Sequence, residues 1–418
     1  VTEVFSVVAD ISVWLRRMKM RKLPAGIWAL GFVSFFMDIS SELIHSLLPI
    51  FMLTTLGASM IAIGIIEGIA EAAASIAKVF SGIISDYIRK RKILAVLGYG
   101  LAAITKPLFP LATTIGWVFS ARFIDRIGKG IRGAPRDALV ADITPSHQRG
   151  AAYGLRQALD SAGAFMGPLA AVVLMIFFVN DIRKVLWIAV IPAFIALGVL
   201  ILGVHEPERQ KTPNPTENRF FSFHGARRLP SRYWLILGLN AIFTLARFSE
   251  AFLILRAQSV GLAVGFVPAI MIVMNAVYAL TAYPAGILTD RMRPRIILAA
   301  GLAVLIAADT LLAFAETPFP VFIGAALWGL HMGLTQGLFA KLVADHAPVR
   351  LRGTAFGIFN LVTGGALLTA SVVAGLLWSA VGAQATFMAG AAFTALALLG
   401  VIVFKSRTPS TPHPGQAP

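Results

Sequence analysis

Long apolar stretches separated by short polar segments dominate the chain. Runs such as 191–204 and 387–404 contain no charged residue. A helix needs about 20 apolar residues, at about 1.5 Å of rise each, to cross the hydrocarbon core of a bilayer. The strands of a membrane barrel would instead alternate apolar and polar residues over segments of about ten residues. The pattern therefore predicts an all-α membrane protein.

The hydropathy pattern predicts twelve transmembrane helices in two pseudo-symmetric six-helix bundles. The predicted spans cover residues 27–53, 60–84, 93–112, 115–138, 150–178, 185–204, 233–256, 264–288, 295–315, 318–343, 353–380 and 384–404. Residues 205–232 contain four prolines and many polar side chains, so this stretch is not expected to cross a membrane. The predicted domains are a cytoplasmic segment 1–26, a bundle 27–204, a cytoplasmic linker 205–232, a bundle 233–404 and a disordered cytoplasmic tail 405–418.

An internal repeat supports the division into two halves. The segment 82–89 recurs as 286–293, with Gly82, Asp86 and Arg89 matched by Gly286, Asp290 and Arg293. Segment 139–154 recurs at 342–357. Parallel repeats of this kind are typical of transporters in which two bundles rock about a site between them.

Composition and charge narrow the class and predict the topology. Only 13% of the residues are charged, against about 25% in soluble proteins, which excludes a soluble fold. The net charge of +16 comes from Lys and Arg in alternate loops, so we expect those loops and both termini to be cytoplasmic, in a bacterial-type inner membrane. The pattern favours anionic lipid headgroups over nucleic acid as the partner of these basic residues. The first span is expected to be retained, and without cysteine neither a disulfide nor a Cys nucleophile can form.

The motif Gly82-x-x-x-Asp86-x-x-Arg89, followed by three further basic residues, resembles the cytoplasmic loop signature of the major facilitator superfamily. A degenerate copy with Gly286 and Asp290 follows the eighth span. The resemblance covers essentially the whole chain and implies a secondary transporter in which these residues latch the two halves in one state. Tyr87 stands where the family usually has a basic residue.

The fifth span carries a second motif of small residues. Gly154, Gly163, Gly167 and Pro168 resemble the signature that the superfamily associates with proton-driven antiporters. Small residues allow helices to approach closely, and proline removes a backbone donor. The resemblance therefore implies proton-driven efflux of a small molecule, although the same residues would also serve ordinary helix packing.

Charged residues at bilayer depth are the other candidate functional groups, because an ionised group there costs at least about 2.5 kcal/mol unless it is paired or hydrated. The proton-coupling candidates are Asp38, Glu42, His45, Glu67, Glu71, Arg122 and Asp125. The substrate-binding candidates are Arg126, Arg156, Asp160, Arg247, Glu250, Asn275, Trp328 and Asn360. Most of the charges lie in the first half, which predicts that this half handles protons while the second supplies mostly shape. A static network of ion pairs remains the alternative.

Several other functions stay open. A proton symporter for a small organic anion would use the same arginines. A divalent-metal transporter would use Asp38, Glu42 and His45, but one helix supplies poor ligand geometry. A non-transporting receptor predicts no substrate flux. No Walker lysine or hydrolase nucleophile motif is present, so we expect neither enzyme activity nor a cofactor, no bound metal, and a monomer whose partners are protons, a small-molecule substrate and the bilayer.

Overall fold

The computed structural model describes residues 23–88, 90–145, 148–206, 228–292, 294–335, 338–348 and 351–403. Every regular element in these ranges is helical. Most of the predicted segments 1–26 and 205–232, and all of 405–418, lie outside the described residues.

Six spans form the N-terminal half. They are α1 (Ala25–Ile50, continued by a π-helical turn, Phe51–Thr55), α2 (Met60–Ile88), α3 (Arg91–Thr105, then Leu108–Leu111), α4 (Ile115–Ile143), α5 (Arg149–Phe177) and α6 (Ile182–Ile188 and Val190–Gly203). Contacts of α1 with α5 and α6, and of α4 with α2 and α3, build this bundle.

Six further spans form the C-terminal half. They are α7 (α7a, Ser231–Leu245, and α7b, Ala251–Ser259), α8 (Ala269–Arg291), α9 (Pro294–Ala313), α10 (Pro318–Thr335, then Leu338–His346), α11 (Arg352–Ala380) and α12 (Ala383–Val403). Helix α10 packs on α8 and α9, and α12 packs on α9. The all-α membrane fold with twelve helices in two bundles is therefore confirmed.

Two of these spans depart from the simple hydropathy rule. Ten described segments are long and apolar enough to cross a membrane. The other two are α4, whose interior carries Arg122, Asp125 and Arg126, and α7, which is interrupted between Leu245 and Ala251. The sequence predicted α7 as one continuous helix. Both exceptions occur where polar groups face protein instead of lipid, the setting in which membrane helices tolerate charge and irregular backbone.

The two halves meet along glycine-lined helix pairs. A Cβ at Gly64 of α2 would overlap the carbonyl oxygen of Ser371 on α11, and one at Gly375 would lie 2.5 Å from the carbonyl oxygen of Met60. Helix α5 also packs against α8 across the halves. Only residues without a side chain allow backbones to approach this closely.

The packing differs between the two ends of the molecule. At the end that carries loop 56–59, which we call the outer end, one apolar core contains residues of both halves, from Leu43 to Phe387. At the opposite, inner end each half has its own core, one around Tyr99 and one around Tyr233. The structure is therefore closed between the halves at the outer end. The basic loops lie at the inner end.

Candidate functional site

A cavity of about 330 Å³ lies between the two halves. Its wall is formed by Glu42, His45, Glu71, Arg126, Lys129, Ala164, Arg247, Phe248, Ser249, Glu250, Asn275, Tyr278, Trp328, Met332 and Leu367. A second depression, lined by Thr54, Asp181 and Arg183, belongs to the outer loops. We take the cavity between the halves as the candidate site because residues of both halves border it, among them the charged side chains of Glu42, Arg126 and Arg247.

Ion pairs join α1, α2 and α4 on the N-terminal side of this cavity. Nδ1 of His45 lies 3.5 Å from Glu42, and Nε2 lies 4.0 Å from Glu67. Arg122 donates a hydrogen bond to Glu67 at 2.7 Å, and both side chains are almost fully buried. One oxygen of Glu67 has no hydrogen-bond partner. The row of acids and bases therefore runs from the cavity wall into the bundle.

A neighbouring buried pair extends the network. Nζ of Lys106 lies 2.8 Å from Asp125 and 3.0 Å from the hydroxyl of Ser41. On the other side, Arg126 lies 3.1 Å from Glu71. Hence Asp125 and Arg126, adjacent on α4, have different partners on α3 and α2, and each charge is compensated.

Two glycines of the antiporter-like motif bring α5 against the acidic face of α1. A Cβ at Gly163 would lie 2.6 Å from the carbonyl oxygen of Phe35 and 3.0 Å from Cβ of Asp38. One at Gly167 would lie 2.8 Å from Cβ of Glu42. The predicted motif and the predicted acids therefore meet at one helix–helix contact.

Asp38 is not part of the ion-pair row. It lies against α5 at Gly163, and Asp160 is three residues earlier on that helix. Asp160 also lies 3.6 Å from both Arg136 and Arg156. Among the described residues, Asp38 has no basic group within 4.0 Å.

The proline of the same motif makes a contact between the halves. Pro168 has no N–H, so the carbonyl of Ala164, one turn earlier, cannot receive its usual helical hydrogen bond. The side-chain amide of Asn275 on α8 donates to this carbonyl at 3.1 Å. A neighbouring helix thus satisfies the backbone acceptor that the proline frees.

The interruption of α7 places Arg247 and Glu250 in the cavity wall. The backbone N–H of Ser249 donates to the hydroxyl of Ser371, which holds the interruption against α11. Facing it, the indole of Trp328 donates to buried Asp309 at 3.0 Å.

The remaining predicted site residues lie away from the cavity wall. Arg156 and Asp160 both lie on α5, with their charged groups 3.6 Å apart. The side-chain amide of Asn360 donates to the carbonyl of Phe356 on its own helix. Glu67, Arg122 and Asp125 are buried behind the wall. Lys106 and Lys129 were not selected from the sequence. Lys106 falls inside the third predicted span, so its depth was a visible signal.

The latch residues are only partly described. A Cβ at Gly82 would meet Cβ of Ala134 on α4 at 3.7 Å, which is ordinary contact, and within the described part of the chain one at Gly154 would meet nothing within 4 Å. The side chains of Asp86, Arg89 and Asp290 lie outside the part of the chain that the structure describes.

The comparisons agree with this architecture. The model of the Major Facilitator Superfamily matches residues 30–274 and 237–418. An uncharacterised MFS-type transporter of Methanocaldococcus jannaschii is 33% identical over 378 residues, covering 88% of this chain and 92% of that protein. The class C tetracycline resistance protein of Escherichia coli is 26% identical, covering 71% and 78%. A crystal structure of a nucleoside transporter superposes with a TM-score of 0.75 at 15% identity, covering 90% and 98%. The chain belongs to the major facilitator superfamily.

Proposed function

We propose that this protein exports a small molecule in exchange for protons, working as a monomer by alternating access. The observation that carries the proposal is the row of charged residues that runs from the shared cavity into the N-terminal half. Buried charges in a membrane are costly, and those that border a water-accessible cavity commonly belong to proton or substrate pathways. The relative among tetracycline resistance proteins favours export.

Asp38 and Asp160 are the pair that we assign to the proton. Asp160 lies 3.6 Å from the guanidinium groups of Arg136 and Arg156, whereas Asp38 has no basic group within 4.0 Å in the described part of the chain. We therefore assign the transported proton to Asp38, the carboxyl group without a basic partner. Glu42, which follows Asp38 by one helical turn on α1 and lines the cavity, is the group that we propose to pass the proton between them.

The experiment for this assignment compares two acid-to-amide variants in proteoliposomes. With a substrate identified by thermal-shift screening, Asp38→Asn should abolish transport driven by a pH gradient while substrate exchange without a gradient continues. The control is Asp181→Asn, which removes a carboxyl from the outer loop between α5 and α6. Gradient-driven accumulation by Asp38→Asn at the control's rate would exclude Asp38 as the carrier.

A proton symporter of a small organic anion is the second candidate. Arg126, Lys129 and Arg247 in the cavity wall favour it. The two functions differ in the sign of proton linkage. In an exporter the substrate favours the deprotonated acids, so a substrate of constant charge binds more tightly as the pH rises through their titration, whereas a co-transported substrate binds more tightly as the pH falls.

Calorimetry in two buffers of different ionisation enthalpy counts the protons directly. We expect proton release when the substrate binds the wild-type protein, and a smaller release from Asp38→Asn. Net proton uptake would contradict the exporter and support the symporter.

We further propose that the inner end faces the cytoplasm, in a bacterial-type inner membrane. The basic loops at that end support this orientation through the positive-inside rule. Because the chain has no cysteine, a single cysteine at Gly57 in loop 56–59 should react with a membrane-impermeant maleimide in intact cells, while one at Lys90 should not. The reverse labelling pattern would invert the topology.

A further inference from the structure

Three charged side chains in the cavity wall have no ion-pair partner. Arg247 and Glu250 flank the interruption of α7, and Lys129 lies on α4 in the other half. Within the described residues, none of the three has an oppositely charged side-chain atom within 4.0 Å. The other charges of the wall are matched, since Glu42 has His45 and Arg126 has Glu71.

The surroundings of Arg247 show that protein groups do not saturate it. Its Nε is buried without a hydrogen-bond partner, and the nearest aromatic contact is the ring of Phe243, at 5.7 Å from the guanidinium carbon. The side chain as a whole is half-buried, but a buried donor without an acceptor is costly, and the planar fork of the guanidinium matches a carboxylate. An anionic group on a ligand would supply the missing acceptor.

Glu250 poses the opposite requirement in the same cavity. It lies three residues beyond Arg247, yet the two are too far apart to pair. A purely anionic ligand would leave Glu250 without a partner, and a purely cationic ligand would leave Arg247 and Lys129 without one. A ligand that carries both signs satisfies both requirements.

Apolar surface lies between and opposite these charges. Phe248 separates Arg247 from Glu250 along the chain, and its ring contacts Trp328 with their centroids 5.7 Å apart. The hydrogen bond to Asp309 fixes the indole of Trp328. Tyr278 also lines the cavity. Aromatic walls of this kind favour a flat apolar body.

We propose that the cavity binds a zwitterionic aromatic molecule whose anionic group contacts Arg247, with Lys129 in support, and whose cationic group contacts Glu250. This assignment rests on the part of the proposed function that makes the cavity the substrate site, whichever way the substrate is moved. It names the substrate class and the residues of the C-terminal half that select it.

Three probes of one skeleton test the proposal. They are a piperazinyl quinolone carboxylic acid, which is zwitterionic near neutral pH, its ethyl ester, which is cationic, and its N-acetyl derivative, which is anionic. Binding is measured by calorimetry on purified full-length protein without any gradient. The zwitterion should bind at least about tenfold more tightly than either derivative, because each derivative leaves one charged side chain of the cavity without a partner.

Variants assign each group of the probe to its residue. Arg247→Gln should weaken the zwitterion and the N-acetyl anion about tenfold and leave the ester unchanged, whereas Glu250→Gln should weaken the zwitterion and the ester and spare the anion. The matched controls are Lys184→Gln and Asp181→Asn, which make the same charge changes in an exposed pair at the outer end. If Arg247→Gln does not fold, Lys129→Gln provides the comparison on the anionic side.

Absence of binding by all three probes, equal affinity for them, or equal losses for all three in each variant would overturn the proposal. These results concern binding without a gradient, so they leave the proton-exchange experiments on Asp38 unaffected. Conversely, a symporter result there would leave the zwitterion assignment standing.

Discussion

The hydrogen bond from Asn275 to the carbonyl of Ala164 allows a test of how the halves are held together. The bond crosses from α8 to α5 in the conformation that is closed at the outer end. Hydrogen bonds between membrane helices contribute about 0.6 kcal/mol on average and up to about 1.7 kcal/mol. If the bond breaks when the outer end opens, Asn275→Leu should raise the ratio of outward-open to closed molecules by about three- to eighteenfold.

Pro168 provides the control for this prediction. Replacing it by alanine restores an N–H that can bond the Ala164 carbonyl within α5, so the carbonyl no longer depends on Asn275. In the Pro168→Ala background, Asn275→Leu should therefore change the ratio by less than about twofold. A role of Asn275 in ligand contact alone would persist in both backgrounds.

The measurement uses the absence of cysteine in the chain. A single cysteine at Leu367, in the cavity wall on α11, should react with an impermeant maleimide from the outer side only when the outer end opens. The labelling rate then reports the open population in the four members of the cycle. Equal effects of Asn275→Leu with and without Pro168 would refute the proposed link between the proline and the bond.

Three further predictions concern packing and burial. Gly375→Ala should destabilise the conformation closed at the outer end by about 1–3 kcal/mol through overpacking, which lowers the ratio of closed to open molecules about 5- to 150-fold. The control is Gly365→Ala on the same helix, whose Cβ meets no described atom within 4 Å, and the cysteine at Leu367 should be labelled there at the wild-type rate. Glu67→Gln should lower the free energy of unfolding by about 3–5 kcal/mol because Arg122 loses its buried partner. Adding Arg122→Gln should recover part of this loss, and full stability of the single variant would contradict the pairing. Gly82→Val should impair transport yet leave folded protein in the membrane, and wild-type flux would remove the latch from the mechanism.

The sequence predicted the helices well because the bilayer imposes one solution on the backbone. A span must satisfy its own hydrogen bonds, so length and hydropathy identify it wherever lipid surrounds it. The rule was insufficient at α7, where Ser371 on α11 binds the backbone N–H of Ser249. That partner lies 122 residues away in the sequence, and no local pattern indicates it.

The candidate site was predictable only in its parts. The acids of α1 and the glycines of α5 were both visible, but their meeting depends on the register between the helices, which places Gly163 against Asp38 and Gly167 against Glu42. The prediction that the second half supplies mostly shape gave too little weight to Arg247 and Glu250. The sequence shows that both are intramembrane charges, yet only the structure shows that they lack ion-pair partners in the described part of the chain.

The interruption of α7 also has a mechanical consequence. The segment α7a packs on α11 and α12 of its own half, while α7b packs on α1 of the other half as well as on α8 and α10. One span therefore contacts both halves, and under the proposed alternating access residues 246–250 would form the joint at which α7 bends. A ligand held by Arg247 and Glu250 would clamp this joint directly. We expect ligand binding to change how readily α7 bends at residues 246–250. No rearrangement elsewhere in the bundle is then needed to couple binding to the movement of the halves.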